Sequence, residues 1–112
     1  MNKICTDINQ SKKLIELGID VNTADMYWWS TSLKYYIEAM DDGDFNEAEG
    51  HVPAWSLTAL LKLIPKSMIS TPNPLSTNYC CRNVEFDMEF YAVNPVDAAF
   101  EMVVWLKENE KL

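Results

Sequence analysis

The sequence has little of what most enzyme chemistry needs. Among its 112 residues there are one histidine and three glycines. His51 is therefore the only imidazole that can serve a serine or cysteine nucleophile as a base, and no serine or cysteine lies in a glycine-flanked nucleophile elbow. The three glycines do not recur at short spacing, which excludes a glycine-rich phosphate loop. The composition favours a non-enzymatic protein.

Cysteine is also scarce. Cys5, Cys80 and Cys81 are an odd number, and two of them are adjacent, so no disulfide framework is indicated. If Cys80 and Cys81 lie in a strand, they point to opposite faces, which is poor geometry for a shared metal. We therefore expect free thiols in a reducing cytoplasm, without a bound metal or cofactor.

Basic residues are few, and long apolar runs are missing. Nine lysines and arginines against 17 acidic residues give a formal net charge of −8. This charge disfavours direct binding to nucleic acid or to an anionic membrane.

The longest apolar run, Met102 to Leu106, is far too short to cross a bilayer. The length and a hydrophobic content of 48% indicate one globular domain, residues 1–112.

The C-terminal stretch organises the rest of the chain. Residues 84–92 alternate between apolar and mostly acidic side chains, which predicts a strand. Asn94 is a good helix N-cap and Pro95 a good first helical residue, so a helix is predicted from Pro95 to about Asn109. This helix is apolar on two faces. Its wide face is expected to lie on the strand, and its second face consists of Ala98, Met102 and Trp105.

Two further helices are marked by their caps. The first is predicted from Thr6 or Asp7 to Leu17, because Gly18 suits the residue that follows a helix. The second begins after the N-cap Ser56 and is ended by Pro65.

The predicted strands form antiparallel pairs. Aromatic and alternating residues predict a hairpin of Thr23–Trp29 with Leu33–Met40. Lys66–Ile69 fits a short edge strand. Thr77–Arg82 fits a strand that turns at Arg82-Asn83 into Val84; a single long strand from Tyr79 to Ala92 is the alternative. Since helices do not alternate with single strands, we predict an α+β fold in which an antiparallel sheet of about four strands carries three helices.

Two apolar surfaces are candidates for contact with a partner. The first is the second face of the last helix, Ala98, Met102 and Trp105, which needs either another helix or a second copy of the chain to cover it. The second is an aromatic surface of the hairpin, formed by Tyr27, Trp29 and Tyr36. The alternative for the hairpin, which we favour, is that helices cover both of its faces.

The acidic residues fall into two groups. Glu85, Asp87 and Glu89 are predicted to form a row on one strand face. A polar loop contributes Asp41, Asp42, Asp44, Glu47 and Glu49. Together these acids could mimic a phosphate backbone, although a solvated surface is the simpler interpretation.

The same loop partly matches a calcium-binding loop. Asp42, Asp44 and Asn46 fit its first, third and fifth positions, but Glu47 stands where glycine is needed and Pro53 where glutamate is needed. A solvated acidic loop is therefore the better interpretation, with a weak cation site as the alternative.

Several segments together resemble a known group of proteins. They include Ser11–Asp20, Pro53–Leu57 and Pro95–Met102, with Trp105-Leu106. The pattern is similar to a family of short uncharacterised proteins from gut Bacteroides-type bacteria, their phages and mobile elements. The resemblance implies a bacterial or phage origin and an intracellular setting, and it brings no catalytic residues.

Three hypotheses about function follow from these patterns. The leading one is a non-enzymatic accessory protein that binds another protein, with a homodimer as the expected assembly. The second is an acidic mimic that inhibits a nucleic-acid-binding enzyme. The third is a small enzyme that uses carboxylates, which requires a pocket with His51 or a pair of acids.

Overall fold

The computed structural model describes residues 3–40, 45–71 and 78–112. The elements in chain order are α1 (Ile8–Glu16), β1 (Met26–Ser30), β2 (Tyr35–Ala39), β3 (Val52–Ala54), α2 (Leu57–Leu63), β4 (Ser67–Ser70), β5 (Tyr79–Asn83), β6 (Met88–Ala92) and α3 (Pro95–Glu108). Single-turn 3-10 helices lie at Val21–Thr23 and Glu47–Glu49. The predicted α+β class with three helices is confirmed, but the strands form two three-stranded antiparallel sheets instead of one sheet.

Helix α1 begins and ends where its capping residues place it. The Asp7 side chain accepts from the amide of Gln10 at 2.7 Å, and the Gln10 side chain accepts from the amide of Asp7. At the other end, Gly18 has a φ of +90° and Ile19 donates to the carbonyl of Leu14. This is the Schellman pattern, which satisfies the last carbonyls of a helix.

Helices α2 and α3 are capped in the same local way. Ser56 accepts from the amide of Ala59 at 3.2 Å, and Asn94 accepts from the amide of Asp97 at 2.8 Å. Pro95 occupies the first turn of α3, where its missing N–H leaves no donor unpaired. The predicted starts of both helices are confirmed.

The first sheet has the strand order β2-β1-β3. The predicted hairpin is present, but β1 starts at Met26, because Asp20 caps a 3-10 turn over Val21–Thr23. Strand β3 was not predicted; its Pro53 lies opposite Tyr27 of β1.

The second sheet has the order β4-β5-β6, and β5 and β6 form a hairpin. The single long strand is therefore wrong. The turn covers residues 84–87, where Asp87 has a φ of +50°, and not Arg82-Asn83 as predicted. Asn83 stabilises this turn, since its side chain accepts from the amide of Phe86 at 3.0 Å.

The core is built around α3, which packs against β5, β6 and α2. Ala98 and Met102 have no exposed surface, so of the two alternatives for this face the structure shows cover by the chain's own elements. The chain itself covers them, and burying them requires no second copy. Trp105 is half-buried and lies near Phe86, with ring centroids 6.3 Å apart. No helix in the described part of the chain is long and apolar enough to span a bilayer.

Candidate binding surface

One face of the first sheet gathers aromatic side chains. Side chains alternate along a strand, so Tyr27 and Trp29 of β1 point to the same side. Their cross-strand partners on β2 are Glu38 and Tyr36, which share that side. Phe45 and His51 pack onto Tyr27 from the loop before β3. We call Tyr27, Trp29, Tyr36, Phe45 and His51 the aromatic face.

The outer half of the aromatic face consists of two stacked rings with a lysine ammonium group close to one of them. The rings of Trp29 and Tyr36 lie nearly parallel, at 20°, with centroids 4.5 Å apart. The ammonium of Lys34 lies 4.9 Å from the Tyr36 ring centroid. A cation at this distance is attracted by the negative face of the ring. The chain therefore places one of its own ammonium groups on the stack.

The inner half of the aromatic face is tied to two carboxylates. The His51 ring stacks on Tyr27 at 5.0 Å, and the Tyr27 hydroxyl donates to Glu38 at 3.2 Å. His51 Nδ1 accepts from the Asn46 amide at 2.9 Å, so the ring proton is carried on Nε2. Nε2 lies 3.7 Å from the carboxylate of Glu49.

The two sides of the first sheet are covered differently. On the opposite side, the indole N–H of Trp28 donates to the carbonyl of Thr6 at 2.9 Å, which holds that side against the start of α1. On the aromatic face, Tyr27 is buried beneath the loop, whereas Trp29 and Tyr36 are half-buried. The expectation of a helix over each face is therefore not met at Tyr27, which Phe45 and His51 cover.

Trp29 also carries an unpaired donor. Its indole N–H is buried, and it finds no acceptor among the residues that the structure describes. A buried donor left unpaired costs about 1–3 kcal/mol.

Sequence reasoning found Tyr27, Trp29 and Tyr36 but missed the residues around them. Lys34, Glu38, Phe45 and His51 had not been connected with this surface. Phe45 carried a usable signal, because it is the single large apolar residue between Asp41 and His51. A lone aromatic in a polar loop indicates that the loop folds back onto an apolar surface.

The acidic row on the second sheet is not formed as predicted. Glu85 and Asp87 lie in the turn before β6, and each pairs with a cation: Glu85 with Lys66, and Asp87 with Arg82 at 2.9 Å. Only Glu89 belongs to the strand. Of the loop acids, Glu47 and Glu49 are exposed, and Glu49 lies beside His51. Asp41, Asp42 and Asp44 lie outside the described residues.

The outer side of the second sheet carries a small titratable cluster. The Tyr91 hydroxyl donates to the Glu89 carboxylate at 2.7 Å, and the Cys80 thiol lies 3.5 Å from the same oxygen. This hydrogen bond lowers the pKa of Glu89 and raises the pKa of Tyr91 to about 12. Burial, together with the Glu89 contact, raises the pKa of Cys80.

The other two thiols are buried. Burial raises the pKa of Cys5 to about 11 and that of Cys81 to about 12. Thiols with raised pKa values are poor nucleophiles at neutral pH, because the thiolate is the reactive form. Cys80 and Cys81 lie on opposite faces of β5, Cys81 inside and Cys80 outside.

The described residues bring no three histidine, cysteine, aspartate or glutamate side chains together for a metal ion. Asn46, the third residue of the partial calcium pattern, caps the 3-10 turn by accepting from the amide of Ala48 at 2.9 Å. Asp42 and Asp44 of that pattern lie outside the described residues.

The hypothesis of a carboxylate enzyme requires a pocket with His51 or a pair of acids. A cavity of about 160 Å³ lies at the second sheet, where its lining includes Asn83, Glu85 and Phe86 but not His51.

Comparison with known proteins adds no relative: no family model matches the chain, and no curated protein or solved structure matches it at a significant level.

Proposed function

We propose that this protein is a binding protein that holds a basic segment of another protein against its aromatic face. The observation that carries the proposal is Lys34, whose ammonium lies 4.9 Å from the centre of the Tyr36 ring. The stack of Tyr36 on Trp29 is thus already a cation site, filled by the chain's own lysine. A lysine or arginine of a partner has the chemistry to replace it.

The charge of the surroundings supports the same occupant. Glu38 and Glu49 are exposed beside Tyr27 and His51 of the aromatic face, and the whole chain has a formal net charge of −8. Such a field speeds the approach of a basic partner and repels acidic ones. A second copy of this chain is a poor occupant for the same reason.

The residue types support a protein as the partner. Tyrosine and tryptophan are enriched in protein interfaces, where they often supply much of the binding energy. The carboxylates that border the face repel phosphate backbones, which disfavours a nucleic acid. A nucleic-acid-binding protein is one natural source of a basic segment, so the hypothesis of an inhibitor of such a protein is kept within this proposal.

The setting of the proposed interaction is the cytoplasm of a bacterial or phage-infected cell. The scarcity of cysteine and the resemblance to short proteins of gut Bacteroides-type bacteria and their mobile elements support this setting.

The test uses a short peptide of alternating lysine and serine, titrated into the protein while its amide NMR spectrum is followed. Shifts should concentrate on the aromatic face, and a peptide with glutamate in place of lysine should leave the spectrum unchanged. Binding should weaken as salt is added, because surface charges are screened. Equal shifts with the glutamate peptide would contradict the proposal.

Matched variants separate the aromatic face from general charge. Trp29→Ala with Tyr36→Ala should weaken binding about ten-fold, since two exposed cation–π contacts of about 0.7 kcal/mol each are lost. Tyr91→Ala removes an exposed aromatic from the second sheet and is the control. The amide NMR spectrum of each variant must first show the same spread of chemical shifts as the parent, which establishes that the variant is folded. Equal losses in the control and the double variant would refute the role of the aromatic face.

Lys34 provides the sharpest variant. Lys34→Gln empties the ring face that a partner's cation would occupy, so affinity for the lysine peptide should rise about three-fold. Lys12→Gln removes the same charge from an exposed position on α1 and is the control. If both variants raise affinity equally, net charge alone governs binding and the proposed displacement is wrong.

A further inference from the structure

A cavity of about 160 Å³ lies where three parts of the chain meet. Ile64, Pro65 and Lys66 come from the link between α2 and β4. Asn83 is the last residue of β5, and Glu85 and Phe86 come from the β5–β6 turn. The end of α3 and the residues after it add Leu106, Lys111 and Leu112. A hydrogen bond from the Val84 amide to the Lys66 carbonyl, 3.1 Å long, joins the first two of these segments.

The inside of the cavity is apolar. Ile64 and Leu106 are almost completely buried, and Phe86 is half-buried. Asn83, the buried polar residue of the lining, is already engaged: its side chain donates to Ser67 at 3.0 Å and accepts from Phe86. A cavity of about 150 Å³ with apolar walls can hold a benzene-sized group.

The rim carries two ammonium groups. Lys66 forms an ion pair with Glu85, which also lines the cavity. Lys111 lies 5.1 Å from the centre of the Phe86 ring, and within the described ranges it forms no ion pair with a carboxylate. Lys111 is therefore an exposed ammonium group beside an apolar cavity. It makes a cation–π contact with Phe86 and can still form an ion pair with a bound anion.

We infer that this cavity binds a small amphiphilic carboxylate, with a benzene-sized apolar group inside and its carboxylate on Lys111. The apolar group gains from leaving water, while the carboxylate stays at the rim beside the ammonium and avoids the cost of burial. This site is on the second sheet, and its residues are different from those of the aromatic face. It stands independently of the proposed function.

The test compares four probes in calorimetric and NMR titrations of the full chain: benzoate, benzyl alcohol, benzylamine and acetate. Benzoate should bind most tightly. Benzyl alcohol should bind about five-fold more weakly, because it lacks the ion pair. The amide NMR signals that shift when benzoate is added should belong mainly to the residues that line the cavity. Equal affinity for benzoate and acetate would refute the apolar site, and tighter binding of benzylamine would refute the role assigned to Lys111.

Two lysine variants complete the experiment. Lys111→Gln should reduce benzoate affinity about five-fold while leaving benzyl alcohol affinity unchanged. Lys62→Gln removes the same charge from an exposed position on α2 and should leave both affinities unchanged. The inference is overturned if the two variants behave alike, or if Lys111→Gln weakens both probes equally.

Discussion

At the scale of single residues, the tryptophans differ in how their indole N–H groups are paired. Trp28 donates to the Thr6 carbonyl, and Trp55 donates to the Thr23 hydroxyl at 2.9 Å. Trp29 has a buried N–H without an acceptor in the described part of the chain. Burying an unpaired donor lowers stability, whereas a paired one is close to neutral or favourable. The Trp29 N–H is thus a local cost within the aromatic face.

This contrast predicts that replacing tryptophan by phenylalanine lowers the free energy of unfolding much less at position 29 than at position 55. Trp29→Phe removes the unpaired N–H along with some contact area, so the free energy of unfolding should change by less than about 1 kcal/mol. Trp55→Phe removes a satisfied donor from a fully buried side chain and leaves a void, so it should cost about 2–3 kcal/mol. Urea unfolding of both variants measures the difference. A loss for Trp29→Phe as large as that for Trp55→Phe would show that its N–H is paired in solution.

The thiols give a second prediction at this scale. In the native protein at neutral pH, Cys80 should react with a disulfide reagent before the other thiols, because it is half-exposed. Its reaction should be slow, because its raised pKa leaves little of the reactive thiolate. Cys5 and Cys81 are buried and should react only when the chain unfolds. Counting released thiolate with and without denaturant measures this order. Rapid reaction of all three thiols in the native state would contradict the burial described.

At the scale of elements, the helix ends depend on local chemistry. Gly18 follows α1 with a φ of +90°, a conformation that costs other L-residues energy. A methyl group there would meet no close neighbour, the nearest atom being a carbon of Lys107 at 3.9 Å. The strain of a substitution at Gly18 is therefore in the backbone and not in the packing.

Gly18→Ala should lower the free energy of unfolding by about 1 kcal/mol, because alanine is strained in the left-handed region. Gly18→Asn should cost less, since asparagine tolerates this region better. Urea unfolding of both variants and the parent checks this order. The midpoints can be compared directly if the unfolding free energy falls with urea at the same slope in all three. An unchanged midpoint in the alanine variant would mean that α1 can end without the Schellman pattern.

The elements also explain which parts of the fold were predictable. Asp7, Ser56 and Asn94 each cap a helix through bonds to residues close in the chain, so the sequence pattern was sufficient. Strand β3 has three residues, including Pro53, and it exists because it pairs with distant β1. Such long-range pairing leaves no periodic signal in a short segment.

The turn before β6 was misplaced for a related reason. The alternation of apolar and acidic residues continues through Val84 and Phe86, although residues 84–87 are not a strand. The decisive contact is the Asn83 side chain on the Phe86 amide, a turn interaction that competes with strand continuation. The aromatic face was found in part, because its strand residues alternate, while its loop residues depend on how the chain folds back.

At the scale of the whole molecule, a polar network fastens the N-terminal segment to the last helix. Asp97 in the first turn of α3 accepts from Lys3 at 2.8 Å and from the side chain of Gln10 at 2.8 Å. The Asn94 side chain donates to its other oxygen. The same Gln10 completes the capping box of α1. Through Asp97, the starts of the first and last helices are held together across most of the sequence.

This network predicts how stability depends on pH. Burial disfavours the ionised form of Asp97, but hydrogen bonds from Lys3, Gln10 and Asn94 outweigh it and hold the pKa of this carboxyl below its ordinary value of 3.8. A pKa that is lower in the folded state adds stability above the ordinary pKa, and this stability is lost as the pH falls through the folded-state value. Acidification should therefore release the link between α1 and α3.

Asp97→Asn should lower the free energy of unfolding at neutral pH, because the neutral amide weakens the contact with Lys3 and leaves that ammonium half-buried with one fewer anion. The difference from the parent should shrink as the pH falls below about 3.8, where the parent's own carboxyl becomes protonated. Glu101→Gln removes an exposed carboxylate from the same helix and is the charge-matched control. Urea unfolding across this pH range measures all three chains. A difference between Asp97→Asn and the parent that stays constant with pH would show that Asp97 acts only through its shape at the helix start, and not through its charge.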